Sequence, residues 1–260
     1  MSMFEAILLG LVQGVTEFLP VSSDGHLTAL SYLLSLDMKS ILPLKVMLHA
    51  ATALAMLVFF APTIWRLLRG LGAREAVQRK KSWQMVLFII IASIPAAFVG
   101  YRMGDWLESA FSTPFLIGLM LIVSGGVVFG TRHYERGDGA LNWWRAILVG
   151  LAQAVGIVPA ISRSGATIAT GMYTGMERGA AFEFSFLLAI PAILGAFVLE
   201  VRRLDMTVFH AGPVAVGMAV AFVSGVAALY VLRKVVLSRR LHWFGYYCWA
   251  AGLAVILLVR

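Results

Sequence analysis

The sequence is poor in charge and nearly devoid of cysteine. Only 13% of its 260 residues are Asp, Glu, Lys or Arg, against about 25% in an ordinary soluble domain. Hydrophobic residues make up 60%, and the mean hydropathy is +0.88. These values exclude a soluble globular domain and a disordered chain alike. The single cysteine, Cys248, excludes an intrachain disulfide and argues against a Cys-ligated zinc or iron–sulfur site. There is no Walker A loop, no HExxH and no CxxC, so nucleotide hydrolysis and zinc proteolysis lose their usual support. The opening MSMFEA has no basic segment and no small-residue cleavage site, so no removable signal peptide is expected. What remains is an all-α polytopic membrane protein.

Six apolar stretches are candidate spans: Val46 to Trp65, Ser82 to Tyr101, Ser109 to Thr131, Phe184 to Leu199, Ala211 to Leu232 and Leu241 to Val259. The fourth is shorter than the about 20 residues a crossing requires. Trp65, Trp83, Tyr101, Trp243 and Tyr246 lie near span ends, as interfacial aromatics do. Three further stretches are too short or too interrupted to cross. Ala6 to Leu19 contains Gln13 and Glu17 and stops at Pro20, Leu27 to Leu36 is brief, and Ala146 to Pro159 runs into Ser162-Arg163-Ser164. Short helices joined by polar Pro- and Gly-containing turns point to two re-entrant helical hairpins, which need protein or a watery cavity around their tips.

The net charge of +8 is carried largely by loops. Arg66, Arg69, Arg74, Arg79, Lys80 and Lys81 form one cluster, Arg132, Arg136 and Arg145 a second, and Arg233, Lys234, Arg239 and Arg240 a third. The loops around Asp105 and Asp205 are more balanced. The positive-inside rule places the three basic loops in the cytoplasm, facing anionic lipid, and both termini outside. Nucleic acid is not expected as a partner.

An offset of about 140 residues exposes an internal repeat. GLVQGV from Gly10 matches GLAQAV from Gly150, pairing Gln13 with Gln153. PVSSDG from Pro20 matches PAISRSG from Pro159, with one residue gained in the second copy. Three crossings per copy is an odd number, so the copies must be inverted in the membrane, an architecture whose sites form between the repeats from broken helices. The chain therefore reads as one integral membrane domain, residues 1–260, with repeat halves of about 1–132 and 140–260.

Ionisable residues at membrane depth are functional candidates because burying them costs about 2.5–3.5 kcal/mol or more. Glu17 follows Gln13 by one helical turn and shares its face. Ser22-Ser23-Asp24-Gly25-His26 gathers two hydroxyls, a carboxylate and an imidazole at a Gly turn. A hydroxyl becomes a nucleophile when a base takes its proton, and Glu17 or His26 qualifies. The same Ser and Asp also suit helix capping. In the second copy, Arg163 offers a planar fork to phosphate oxygens. Ser162, Ser164, Thr167 and the backbone N–H groups of the helix starting near Gly165 complete an anion cradle. A structural pairing of Arg163 with Asp24 or Glu17 is the alternative. His49 lies inside a span, where an interhelical hydrogen bond is expected. Glu183 is either interfacial or a wall of the site. His133, His210 and His242 are expected in solvent.

QGVTEFLPVSSDGH (13–26), PAISRSGAT (159–167) and EFSFLLAIP (183–191) together resemble the undecaprenyl-diphosphate phosphatase family, also called the bacitracin-resistance proteins. The resemblance covers nearly the whole chain. It implies removal of the terminal phosphate of a C55 polyprenyl diphosphate at the outer face of the bacterial cytoplasmic membrane, with Mg2+ or Ca2+. It makes Glu17 and His26 the acid–base groups. Ser23 becomes the nucleophile, with His26 as the other option. Arg163, Ser162, Ser164, Gly165 and Thr167 become diphosphate contacts, with Gln13, Ser22 and Gly25 beside them. Three positions depart from the family pattern. Asp24 stands where Ser or Thr is usual, and would repel a diphosphate unless Arg163 or a metal held with Glu17 offset it. Ala160 replaces a Gly. Lys45 replaces an acid, which favours anion binding and removes a metal ligand. Expected partners are the polyprenyl diphosphate and membrane lipids, with a homodimer left open. The competing expectation is an inverted-repeat transporter of a polyprenyl phosphate or another anion.

Overall fold

The computed structural model describes residues 2–36, 38–134, 137–202 and 211–258, with only the helical backbone at 38–41. The readings that involve Arg136, Asp205, His210 and Val259 lie outside these residues. The described chain is helical throughout, apart from one isolated bridge between Gly139 and Met176.

The first hairpin is α1 (Met3–Phe18) and α2 (Ser23–Leu33). Three long helices follow: α3 (Met38–Leu71), α4 (Ala76–Ala110) and α5 (Pro114–Phe129). The second hairpin is α6 (Trp143–Val155) and α7 (Arg163–Tyr173), followed by α8 (Arg178–Val201), α9 (Ala211–Leu237) and α10 (Trp243–Leu258). Each short apolar stretch of the sequence is thus a short helix, and each polar turn is a break.

Five helices are long and apolar enough to cross a membrane: Leu42–Leu71, Ala76–Ala110, Pro114–His133, Arg178–Val201 and Ala211–Leu237. Within the expected span from Leu241 to Val259, the described residues form the apolar helix Trp243–Leu258. The start of the expected span at Ser109 is corrected. Ser109 still belongs to α4, and α5 starts at Pro114 because the Thr113 side chain caps it by accepting from the Leu116 N–H. Proline suits a first helical turn, where its missing N–H would have had no partner. Leu87, Ile90, Ile94 and Phe98 of α4 are exposed apolar side chains, at home only against lipid.

The halves interlock. α1 packs along α9, α6 along α4, and α5 along α10. Small residues let these backbones touch. A Cβ added to Gly10 would lie 2.4 Å from the Gly217 carbonyl oxygen of α9, and one on Gly150 would lie 2.4 Å from that of Ala92 in α4. Gly118 and Gly252 make the same approach between α5 and α10. Without water to drive helices together in lipid, such close packing is the main source of their association. At the centre, Phe18, Phe60, Phe182 and Phe186 form a buried aromatic cluster joining α1, α3 and α8, with Phe182 and Phe186 ring centroids 4.9 Å apart.

Candidate active site

The two hairpin turns meet. A Cβ on Gly25 would lie 3.3 Å from the Ala160 methyl, and one on Gly165 would lie 3.0 Å from Pro20 Cβ. Both turns begin their second helix in the same way. Ser22 caps α2 by accepting from the Gly25 N–H at 3.4 Å, and Ser162 caps α7 by accepting from the Gly165 N–H at 3.1 Å. The capping role weighed for the serines is therefore filled by Ser22 and Ser162, which leaves Ser23, Asp24, Arg163 and Ser164 for other work. Two helix N-termini converge at the tips, and each carries roughly +0.5 of an elementary charge. That is a favourable place for an anion.

The carboxylate of Glu17 closes the end of α1 over this junction. Its side chain is only 8% exposed. The Ser23 hydroxyl donates to Glu17 Oε2 at 2.6 Å, and the Gln13 amide donates to the same oxygen at 3.0 Å. His49, on α3, presents Nδ1 at 3.0 Å from Gln13 Nε2 and 3.4 Å from Glu17 Oε2. The Thr52 hydroxyl lies 3.4 Å from the same amide nitrogen. The interhelical role expected of His49 is thus realised between α1 and α3. Its other nitrogen, Nε2, is 4.0 Å from Asp24 Oδ1.

On the opposite wall stands the second hairpin. Glu17, Phe18, Arg163, Ser164, Thr167 and Ser185 line one cavity, with Phe186, Met56, Ala189 and Ile193 supplying its apolar side. Arg163 forms no ion pair with Glu17 or Asp24 among the described residues. Asp24 is instead held by Lys45, whose Nζ lies 2.9 Å from Oδ1. The structural pairing weighed for Arg163 is therefore taken by another cation. The Ser162 and Ser164 hydroxyls are 3.2 Å apart, and the Thr167 hydroxyl donates to the Arg163 carbonyl at 2.9 Å.

A hydroxyl on a buried carboxylate, a guanidinium without an ion pair among the described residues and two helix N-termini make an arrangement suited to phosphoryl transfer. A base, a nucleophile and fixed positive charge are most of what such chemistry asks of a protein.

Residues 6–254 match the family described as Bacitracin resistance protein BacA. The chain belongs to the bacitracin resistance protein family. An undecaprenyl-diphosphatase of Syntrophotalea carbinolica is 40% identical over 97% of this chain and 97% of its own length. One of Alkaliphilus metalliredigens is 37% identical over 99% and 98%. One of Salinibacter ruber is 37% identical over 97% of both chains.

Of the residues expected from that family, Gln13, Glu17 and Ser23 form one hydrogen-bonded group, and Arg163 lines a cavity with Glu17. His26 lies apart from this group. Its Nδ1 lies 2.7 Å from the Ser22 carbonyl oxygen, its Nε2 2.8 Å from the Tyr247 hydroxyl, and its ring stacks on Tyr247 with centroids 5.6 Å apart. Both nitrogens are committed, so His26 ties the first tip to α10. Glu183 is half-buried and does not line the cavity. Sequence reasoning missed Tyr247 and Ser185. Ser185 is 3% exposed, and its hydroxyl has no partner among the described residues. Its signal was a polar residue on an otherwise apolar helix.

Proposed function

We propose that this chain is an integral membrane phosphatase that converts undecaprenyl diphosphate, or a related polyprenyl diphosphate, to the monophosphate and inorganic phosphate. The observation that carries the reading is the Ser23 hydroxyl donating at 2.6 Å to the buried carboxylate of Glu17, a residue that lines one cavity with Arg163. Ser23 Oγ attacks the terminal phosphorus as Glu17 Oε2 accepts its proton. The bond from that phosphorus to the bridging oxygen breaks, polyprenyl monophosphate leaves, and water then releases phosphate from the seryl ester. Arg163 binds the equatorial oxygens, where charge accumulates. A well-placed general base contributes about 10²–10⁴-fold. Ser23 takes the nucleophile's part rather than His26, because both imidazole nitrogens already have partners.

The donor set for a divalent cation is thin. Among the described residues no group of three or more His, Cys, Asp or Glu could hold one, and Asp24 is already paired with Lys45. The arrangement suits an ion such as Mg2+ that takes one or two carboxylates and completes its shell with substrate phosphate and water. Glu17 is the residue that would hold it. When bound, the ion would supply positive charge to the diphosphate oxygens.

The same reading gives six crossings and two re-entrant hairpins, related by an inverted repeat. The crossed packing of α1 on α9 and α6 on α4 supports it. It also opens the site to the outer face of the cytoplasmic membrane. In support, Lys45 lies near the start of α3, while the basic run from Arg66 to Lys81 joins the far end of α3 to α4. The relatives are named as phosphatases, so transport without hydrolysis is not favoured. The test is phosphate release from farnesyl or undecaprenyl diphosphate by purified protein in detergent. Release that Ser23→Ala and Glu17→Gln abolish is expected. Folded protein that binds the lipid yet releases no phosphate would overturn the enzyme and leave a carrier.

A further inference from the structure

Beside the reacting pair sits an ion pair to which the mechanism above gives no role. Asp24 follows Ser23 directly, and its carboxylate carries Lys45 Nζ at 2.9 Å. The pair is half-buried, with the Lys45 side chain 22% exposed and that of Asp24 49%. Its place is more telling than its strength. The Lys45 stem lines an apolar pocket with Leu9, Leu27, Leu44 and Leu48, between α1, α2 and α3. Its ammonium thus marks the edge where an apolar wall meets the polar site, as the head of a lipid meets its tail.

Charge bookkeeping points the same way. Glu17 and Asp24 bring two negative charges to the site and Arg163 and Lys45 two positive ones, while Glu108 and Glu200 add negative charge on the Lys45 side. Without Lys45 the site would be still more negative towards a polyanionic ligand. Lysine is a compact charge on a flexible stem with three donors, so it can turn from a carboxylate to a phosphate without moving the backbone.

We propose that Lys45 is a substrate-binding residue that Asp24 holds in waiting. Its ammonium contacts the lipid-side phosphate of the diphosphate, with the first isoprene units against Leu9, Leu27, Leu44 and Leu48, while Arg163 takes the terminal phosphate. This rests on the phosphatase reading and assigns the two phosphates of that substrate to two different cations. Lys45 serves as resident counter-charge at the position where a metal on Asp24 would otherwise stand.

The test is binding of the hydrolysis-inert probe farnesyl methylenediphosphonate to the purified full-length protein in detergent with EDTA, read by calorimetry. A thermal melt of each variant confirms folding. Lys45→Met is expected to weaken binding at least tenfold, Lys45→Arg to retain most of it, and Asp24→Ser to tighten it several-fold by releasing the lysine. The double variant Asp24→Ser/Lys45→Met should regain part of the loss, because the aspartate no longer repels the probe, but stay several-fold weaker than the parent. A double variant that recovers the parental affinity would overturn the proposal, because the lysine would then only cancel the aspartate. So would Lys45→Met that binds like the parent. Farnesyl monophosphate should lose affinity equally in Lys45→Met, and a loss confined to the diphosphonate would overturn the assignment to the lipid-side phosphate. These arms measure binding alone. Failure of the phosphatase reading would show separately, as absence of phosphate release from the unaltered protein.

Discussion

The two hairpin tips are built alike and carry opposite chemistry. Each has a serine cap bonded to the N–H of a glycine three residues on, Ser22 to Gly25 and Ser162 to Gly165. Each begins an 11-residue helix. Between cap and glycine the first tip holds Ser23 and Asp24, and the second holds Arg163 and Ser164. The glutamines one hairpin arm back have diverged as well. The Gln13 amide nitrogen meets Glu17, His49 and Thr52, while Gln153 is buried with neither amide atom partnered among the described residues. The repeat supplies one scaffold twice. The proposed reaction depends on the copies no longer being the same: one side brings nucleophile and base, the other brings positive charge.

The largest test of that division is Glu17→Gln, which keeps the shape and removes the base. It should lower kcat for phosphate release by about 10³-fold, with Ser23 still in place. Arg163→Lys keeps the charge of the second tip but loses the planar fork, and should cost about 10²-fold in kcat/KM. Gln153→Met should leave activity unchanged and raise stability by about 1 kcal/mol, because it removes a buried amide without partners. Gln13→Met should instead impair phosphate release, and the two variants compared by rate and thermal melt separate scaffold from chemistry. The smallest effect belongs to Ala160→Gly. Ala160 holds φ at 65°, a left-handed conformation that costs an alanine about 1–2 kcal/mol. Glycine recovers part of this against its own larger chain entropy. A rise of a few degrees in Tm is expected, with activity retained.

Much of this was legible in the sequence. The short helices showed as apolar stretches that stop at polar turns, and the repeat showed as matched Gln, Pro, Ser and Gly. Glu17, Ser23 and Arg163 stood out because charge and hydroxyls are rare in so apolar a chain. The structure refines the alignment of the tips. Gln13 with Gln153 and Ser22 with Ser162 keep one constant offset, so the residue gained after Pro159 is matched by one lost before it. What the sequence did not reveal are contacts between distant elements. Lys45 on Asp24 and His49 on Glu17 join α3 to the first hairpin, and Tyr247 reaches His26 from the last helix. No local spacing encodes such meetings, because they depend on how whole helices cross. The boundary at Pro114 was missed for a different reason. Thr113-Pro114 is a start signal, but hydropathy alone runs through it.

The interlocking of the halves has a consequence for the order of synthesis. α1 precedes its packing partner α9, which begins at Ala211, by most of the intervening helices, and α5 likewise precedes α10. The first hairpin must therefore enter the bilayer and be held there without α9, and its Glu17 is without Arg163 until the second hairpin follows. A ribosome that stalls before α6 leaves a half-protein with a base and a nucleophile but no guanidinium to face them. The order of assembly then sets when the cavity between the hairpins forms, because its lining runs from Glu17 to Ile193 and is complete only once α8 has followed.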